Sequence, residues 1–230
     1  MFDVKGRDVF LTEERVLTHH IRVVKCEFQF ILYYESFESI DFDTSNIEMA
    51  ILKIARMGHP VLARKCDAVD DPTDSEIHYL INDMIETMRD APGVGLSAPQ
   101  VHVPKRIVVF YVPASRTPDG VDGVGLTALI NPVVEPLSQE TEIGVEGCLS
   151  LPGMAGKVPR YTKIRYSGLL PNGKELVCEA EGYHARVVQH ECDHLDGILY
   201  PMRMEDLSSF GYSEELQKRM NEMEAGENDR

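Results

Sequence analysis

His190-Glu191-Cys192-Asp193-His194 carries two imidazoles four residues apart with a carboxylate between them. On a helix, residues four apart stand one turn above each other on one face, so His190 and His194 can grip a single metal ion. Glu191 lies beside them and can accept a proton from the water that attacks a substrate. Two protein groups do not hold a catalytic ion; three plus a solvent molecule is the usual arrangement. A third His at metzincin spacing would fall on Tyr200, which excludes that subclass. Two other sources remain open. Glu214 or Glu215 could serve as in thermolysin-like peptidases, or a thiolate could, since sulfur binds Zn²⁺ and Fe²⁺ well. Of the five cysteines, Cys148 stands out in Glu146-Gly147-Cys148-Leu149-Ser150, where Gly147 would permit close backbone approach to an ion. Cys192 falls on the core side of the His-bearing segment and reads as a small buried hydrophobe. Cys66 and Cys178 have no companion pattern and read as structural.

A third segment, Gly93-Val94-Gly95-Leu96-Ser97-Ala98-Pro99-Gln100, has the glycine density of a phosphate loop. It lacks the Lys-Ser/Thr ending of a P-loop and the third glycine of a dinucleotide fingerprint. Two readings stand. It is either a helix stop followed by a tight crossing, or a backbone that lines a pocket while Gln100 points an amide donor inward.

These residues need elements to position them. Thr73-Asp74-Ser75-Glu76 predicts a capping box, opening a helix with Ile77, Leu80, Ile81, Met84, Ile85 and Met88 on one stripe. Ala91-Pro92-Gly93 stops it. Strands are expected at residues 106–112, 126–134 and 162–166, with a tight hairpin turn at Asn172-Gly173 and alternation beyond it from Glu175 to Ala180. The His-bearing helix should run over residues 182–196, with Gly197 as its stop. On it Ala185, Val188, Cys192 and Leu195 face the core, Val187, His190, Glu191 and His194 take the adjoining semi-buried face, and Arg186, Gln189, Asp193 and Asp196 a polar one. A short charged helix is expected over residues 213–223. Short antiparallel units around a few helices predict an α+β fold.

Composition narrows the function. The chain has 230 residues and a net charge of −15, which argues against a phosphate-tracking nucleic-acid binder. No apolar run approaches the roughly 20 residues needed to cross a bilayer, and no secretory signal is visible. An odd number of cysteines points away from a disulfide framework and toward the reducing cytoplasm. Residues 1–48 differ from the rest: they hold six of the eight Phe, none of the 13 Pro and only Gly6 of the 17 Gly. They read as an N-terminal extension, with one alternating strand-like stretch over residues 26–34 and Met49 as a candidate start of the working domain.

Taken together and in this order, the three motifs resemble the peptide deformylase family. Residues 146–150 match its Glu-Gly-Cys-Leu-Ser in full, and residues 189–194 match its Gln-His-Glu-x-Asp-His. Residues 93–100 match its glycine loop with Ser97 in place of the usual Ala, and residues 49–62 resemble its N-terminal strand. The resemblance covers residues 49–210 and leaves 211–230 as an acidic C-terminal helix and tail. It implies antiparallel β-sheets around a central metal-binding helix, and a metal-dependent hydrolase that takes the formyl group from the initiator methionine of nascent polypeptides and releases formate. Carried over by position, it makes Cys148, His190 and His194 the ligands of one divalent ion, Fe²⁺ in the cell, with Zn²⁺, Ni²⁺ or Co²⁺ as alternatives. Glu191 becomes the acid/base, and Gln100 with the Leu149 amide the oxyanion donors. Val94 and Val187 become the wall of the methionine pocket, near Tyr183 and Arg186, and Gly95 a backbone contact to the peptide. Partners would be N-formylmethionyl nascent peptides met near the ribosome, with neither nucleic acid nor membrane bound. Residues 203–230 hold eight acids against four bases, which argues against tight ribosome docking by this tail. Arg160 is expected to pair with Asp193 on the polar side of the metal helix. Two rivals remain: a zinc endopeptidase with a glutamate from the last helix as third ligand, and a nonenzymatic metal-stabilised module.

Overall fold

The structure, a computed structural model, describes residues 49–118 and 121–228, with side chains described through residue 222. The expected N-terminal extension and its strand-like stretch lie outside the described residues. Two antiparallel sheets and three helices make an α+β fold. One sheet has five strands in the order β1-β2-β3-β6-β7: β1 (Gly95–Ser97), β2 (Ile107–Val112), β3 (Val124–Pro136), β6 (Lys163–Leu169) and β7 (Glu175–Glu181). The other has three, in the order β4-β5-β8: β4 (Thr141–Cys148), β5 (Leu151–Tyr161) and β8 (Gly211–Tyr212).

The helix α1 (Ser75–Asp90) buries Ile81, Met84 and Met88 against Leu96, Ile107, Val109 and Ile130, so the stripe seen in sequence is its core face. Its start differs from the capping box. Asp74 is the cap and accepts from the Glu76 amide, while the Thr73 amide and hydroxyl donate to Asp71. A carboxylate is the stronger acceptor at a helix N-terminus, so it displaces the hydroxyl. The β6–β7 connection also differs. Only Gly173 has positive φ, and the loop closes through Gly173 N–H to the Leu170 carbonyl and Leu170 N–H to the Lys174 carbonyl. It is a longer loop than the expected two-residue turn.

The long β4–β5 hairpin was not foreseen. β4 exposes Ile143 and Val145 and buries Glu146, which inverts the usual alternation and hides the strand from a periodicity argument. Residues 49–62, which resemble the family's N-terminal strand, join no ladder: a 3₁₀ turn begins at Pro60, and the segment before it is tied by Ala55 N–H to the Gln100 carbonyl and Met57 N–H to the Ser150 carbonyl.

The helix α2 (Gly182–Leu195) packs on β1, β2, β3, β6 and β7 from one sheet and on β5 from the other. Every residue from Ala185 to Leu195 is buried. Ala185, Val188 and Leu195 have no exposed surface and join Val108, Phe110, Ile164 and Tyr166 in one core cluster. Each Val or Leu so buried contributes roughly 1.5–3 kcal/mol, which anchors the helix that carries the motif. The polar face expected toward solvent is covered by β4 and β5, so Arg186, Gln189 and Asp193 are buried as well. The last helix, α3 (Ser213–Asn228), is longer than expected and exposed along its described side chains apart from half-buried Leu216. No helix among the described residues is long and apolar enough to cross a membrane.

Candidate active site

Two short segments and one helix converge. Cys148 ends β4, Gln100 closes a 3₁₀ turn that follows β1, and α2 supplies His190, Glu191 and His194. The ligand atoms of Cys148, His190 and His194 all lie within 4.8 Å of one another, and Cys148 Sγ is 3.3 Å from His194 Nε2. Metal bonds of about 2.0–2.3 Å at tetrahedral angles set neighbouring ligand atoms about 3.4–3.8 Å apart, so one ion fits this donor set. Among the described residues it is the one such group of three. Glu214 and Glu215 are exposed on α3, and Glu215 pairs with Lys218, so the last helix supplies no third ligand. Gly147 has no special role in the approach: a Cβ there would meet only the Met154 carbonyl, at an ordinary 3.5 Å.

Behind the ligands lies a buried charge network. Glu146 Oε2 is 2.8 Å from His190 Nδ1 and accepts from Arg160, while Glu146 Oε1 accepts from both Arg160 and Arg186. Burial opposes charge on Glu146, but the hydrogen bonds from His190 and Arg160 and the Arg160 charge prevail and bring its carboxyl down to about 2. An ionised Glu146 holds the His190 proton on Nδ1 and leaves the Nε2 lone pair for an ion. Arg160 also pairs with Asp193, as expected, and Arg203 closes the chain by donating to both Asp193 oxygens. Arg186 also donates to the carbonyls of Val158 and Glu142, in a space that exists because residue 144 is glycine. A Cβ at Gly144 would lie 2.6 Å from the guanidinium carbon.

Burial also opposes charge on Cys148, yet the adjacent His194 and His190 hold its thiol well below the ordinary range, which favours the thiolate that binds metals. The buried Cys192 and Cys66 go the other way: burial raises both, Cys66 to about 11, in keeping with inert core thiols. Burial raises the Glu191 carboxyl, against the pull of His190 and His194. Oε2 of Glu191 and Nδ1 of His194 are buried with no hydrogen-bond partner among the described residues. A buried carboxylate oxygen aimed into a site without a partner is suited to hold or receive a proton.

Gln100 sits on the other side of Cys148. Its Oε1 accepts from the amide and hydroxyl of Ser97, which turns Nε2 toward Cys148 Sγ at 3.4 Å and Ser150 Oγ at 3.1 Å. This Ser-x-x-Gln box was present in the sequence as a capping signature and settles the choice left open for the glycine loop: Gln100 does aim an amide donor inward. Gly95 lets β1 run against the Glu191 carboxyl, because a Cβ there would lie 2.2 Å from Glu191 Oε1. Leu149 packs over Gly93, and Val94 joins Val187 in one cluster beside the site. Tyr183 stands under the Arg116 guanidinium, 5.5 Å from its ring centre. The structure thus brings Gln100 to the Cys148, His190 and His194 group and sets Gly95 against Glu191, while Val94 and Val187 share a core cluster around α2. Sequence reasoning missed Glu146 and Arg203, whose partners lie on other elements.

Comparison with known proteins agrees with this geometry. The sequence model of the polypeptide deformylase family matches residues 51–210. A protein named peptide deformylase 1 from Bordetella pertussis is 54% identical over 164 residues, covering 71% of this chain and 93% of that protein. The crystal structure of peptide deformylase from Ehrlichia chaffeensis superposes with a TM-score of 0.64 at 32% identity, covering 77% of this chain and 99% of that one. A class I type b peptide deformylase from Acinetobacter baumannii, solved with Met-Ala-Ser bound, gives a TM-score of 0.63 at 32% identity over 68% of this chain and 100% of the other.

Proposed function

Since this chain belongs to the peptide deformylase family, we propose how its own residues remove the N-formyl group from the methionine that begins nascent polypeptides. The observation that carries the reading is the convergence of Cys148, His190 and His194 beside a buried Glu191 oxygen that has no partner. Cys148, His190 and His194 would hold one divalent ion, which when bound supplies Lewis acidity and a hydroxide nucleophile near neutral pH. Glu191 accepts the proton of the attacking water and returns it to the departing α-amine. As the formamide carbonyl becomes an oxyanion, Gln100 Nε2 and the Leu149 N–H donate to it and stabilise the transition state more than the ground state. Ser97 keeps the Gln100 amide facing that oxygen. Formate is small, so selection comes from the peptide side: Val94 and Val187 wall the methionine side chain, and the Gly95 backbone pairs with the peptide.

Fe²⁺ is the ion in the cell, because the family often works with it; Zn²⁺, with the higher equilibrium affinity for such a set, is the competitor. Residues 49–210 form the catalytic unit, preceded by an extension over 1–48 and followed by an acidic tail over 211–230. The enzyme works in the cytoplasm on nascent chains near the ribosome, and the acid-rich residues 203–230 argue against tight docking by that segment.

Metal content and formate release from a formyl-Met peptide test this, on the full chain and on a chain starting at Met49. Cys148→Ala should abolish both readouts. Retained metal with formate release would leave the ligand assignment without support. Loss of activity in air, restored by Ni²⁺ or Co²⁺, supports Fe²⁺; indifference to air counts against it.

A further inference from the structure

A cavity of about 600 Å³ opens beside the site, lined by Leu52, Lys53, Ile54, Arg56, Leu149 and Pro152. Three observations connect it to the reaction. Leu149 borders both places, following the Cys148 ligand in the chain while its side chain packs on Gly93. The segment carrying Lys53 and Arg56 is fastened to both catalytic loops, through Ala55 N–H to the Gln100 carbonyl and Met57 N–H to the Ser150 carbonyl. Lys53 and Arg56 are exposed, and neither side chain makes a hydrogen bond or ion pair among the described residues. Lys53 and Arg56 thus place two positive charges along an apolar floor of Leu52, Ile54, Leu149 and Pro152.

We infer that this cavity receives the residues downstream of the formyl-methionine, and that Lys53 and Arg56 make the enzyme prefer substrates with an acidic side chain there. The inference rests on the deformylase reading of the same site. A peptide with its formyl end between Cys148 and Glu191 passes Leu149 within its first few residues, since an extended residue advances about 3.3 Å. The apolar floor takes the aliphatic stem of a glutamate while its carboxylate meets the guanidinium and ammonium groups at the rim. Because these contacts do not involve the formyl carbon, they strengthen ground state and transition state alike and act on KM rather than kcat.

The experiment compares C-terminally amidated peptides of the form formyl-Met-Ala-Ala-Ala in which one downstream alanine at a time is replaced by Glu, Gln or Lys. The expected result is a kcat/KM for Glu over its isosteric Gln counterpart of about fivefold at one position, carried by KM and shrinking as salt rises. In Lys53→Glu/Arg56→Glu the order should invert, with the Lys peptide favoured at that position. A Glu-to-Gln ratio within twofold at every position, or one that survives the double substitution, overturns the inference. Turnover of the all-alanine peptide separates the two claims: if it proceeds while the ratio is flat, only the cavity assignment falls. If no formyl peptide is hydrolysed, the deformylase reading falls and takes this one with it.

Discussion

The two sides of helix α2 bury polar groups in opposite ways. On one side Arg186, Gln189 and Asp193 are buried and every charge finds partners: Asp193 with Arg160 and Arg203, Arg186 with Glu146, and Gln189 with the Tyr161 backbone and the Ala185 carbonyl. On the other side Glu191 Oε2 and His194 Nδ1 are as deeply enclosed and have no partner among the described residues. Burial alone therefore does not distinguish structure from function here. Satisfaction differs: the charges of the first side close into one network, and the proposed proton carrier, Glu191, lies on the second. His184, on the first turn of the same helix, is a third case. It is packed between Phe110 and Tyr166, with the Tyr166 hydroxyl 3.1 Å from its Nε2, and it faces no ligand set.

The comparison can be broken by substitution. The largest effect should come from Glu191→Gln, which keeps shape and removes the proton acceptor; formate release should fall about 10³-fold or more while metal content stays, as steady-state kinetics and metal analysis would show. An activity loss below tenfold would mean that the unpaired oxygen is not the proton carrier. Arg160→Ala should act on stability instead. It removes the cation between Glu146 and Asp193, leaving Glu146 to Arg186 and Asp193 to Arg203, at a cost of about 3–5 kcal/mol in denaturant unfolding, and loosens metal retention because Glu146, the partner of His190, is held less firmly. Unchanged metal content and activity would show that the network does not orient the ligands.

His184 sharpens the contrast through pH. Burial lowers its folded-state pKa to about 4 from an unfolded value of 6.5. Between these values the unfolded chain binds the proton and the folded one does not, so stability rises with pH across the window. Roughly 3 kcal/mol present above pH 6.5 should fade as the pH falls to about 4. Unfolding curves at pH 7 and pH 4.5 check this, and His184→Asn should flatten the dependence. The smallest effect belongs to Asp74→Ala, far from the site, which removes the α1 cap and should cost about 1 kcal/mol without changing turnover.

The site was legible in the sequence to an unusual degree because its groups sit in three short motifs whose internal spacing is set by local geometry. The i, i+4 pair of histidines needs only a helix to meet. Ser97 and Gln100 need only one turn. What was not legible depends on neighbours distant in sequence. β4 carries Glu146 inward where an apolar residue would be expected, because Arg160 and Arg186 from β5 and α2 neutralise it there. The polar stripe of α2 looked like a solvent face for the same reason: nothing in its composition shows that β4 and β5 will cover it.

The chain alone thus pointed to the histidine pair, the carboxylate between them and the helix that bears them, since these follow from residue chemistry and from spacing within a few residues, while the third ligand came only from the family resemblance. Only the tertiary structure decided that Cys148 arrives at that helix, that Glu146 and two arginines lie behind His190, and that Lys53 and Arg56 stand unpaired beside Leu149. Those are meetings of segments far apart in sequence. Their geometry is set by how two sheets pack around one buried helix, which local propensity does not encode.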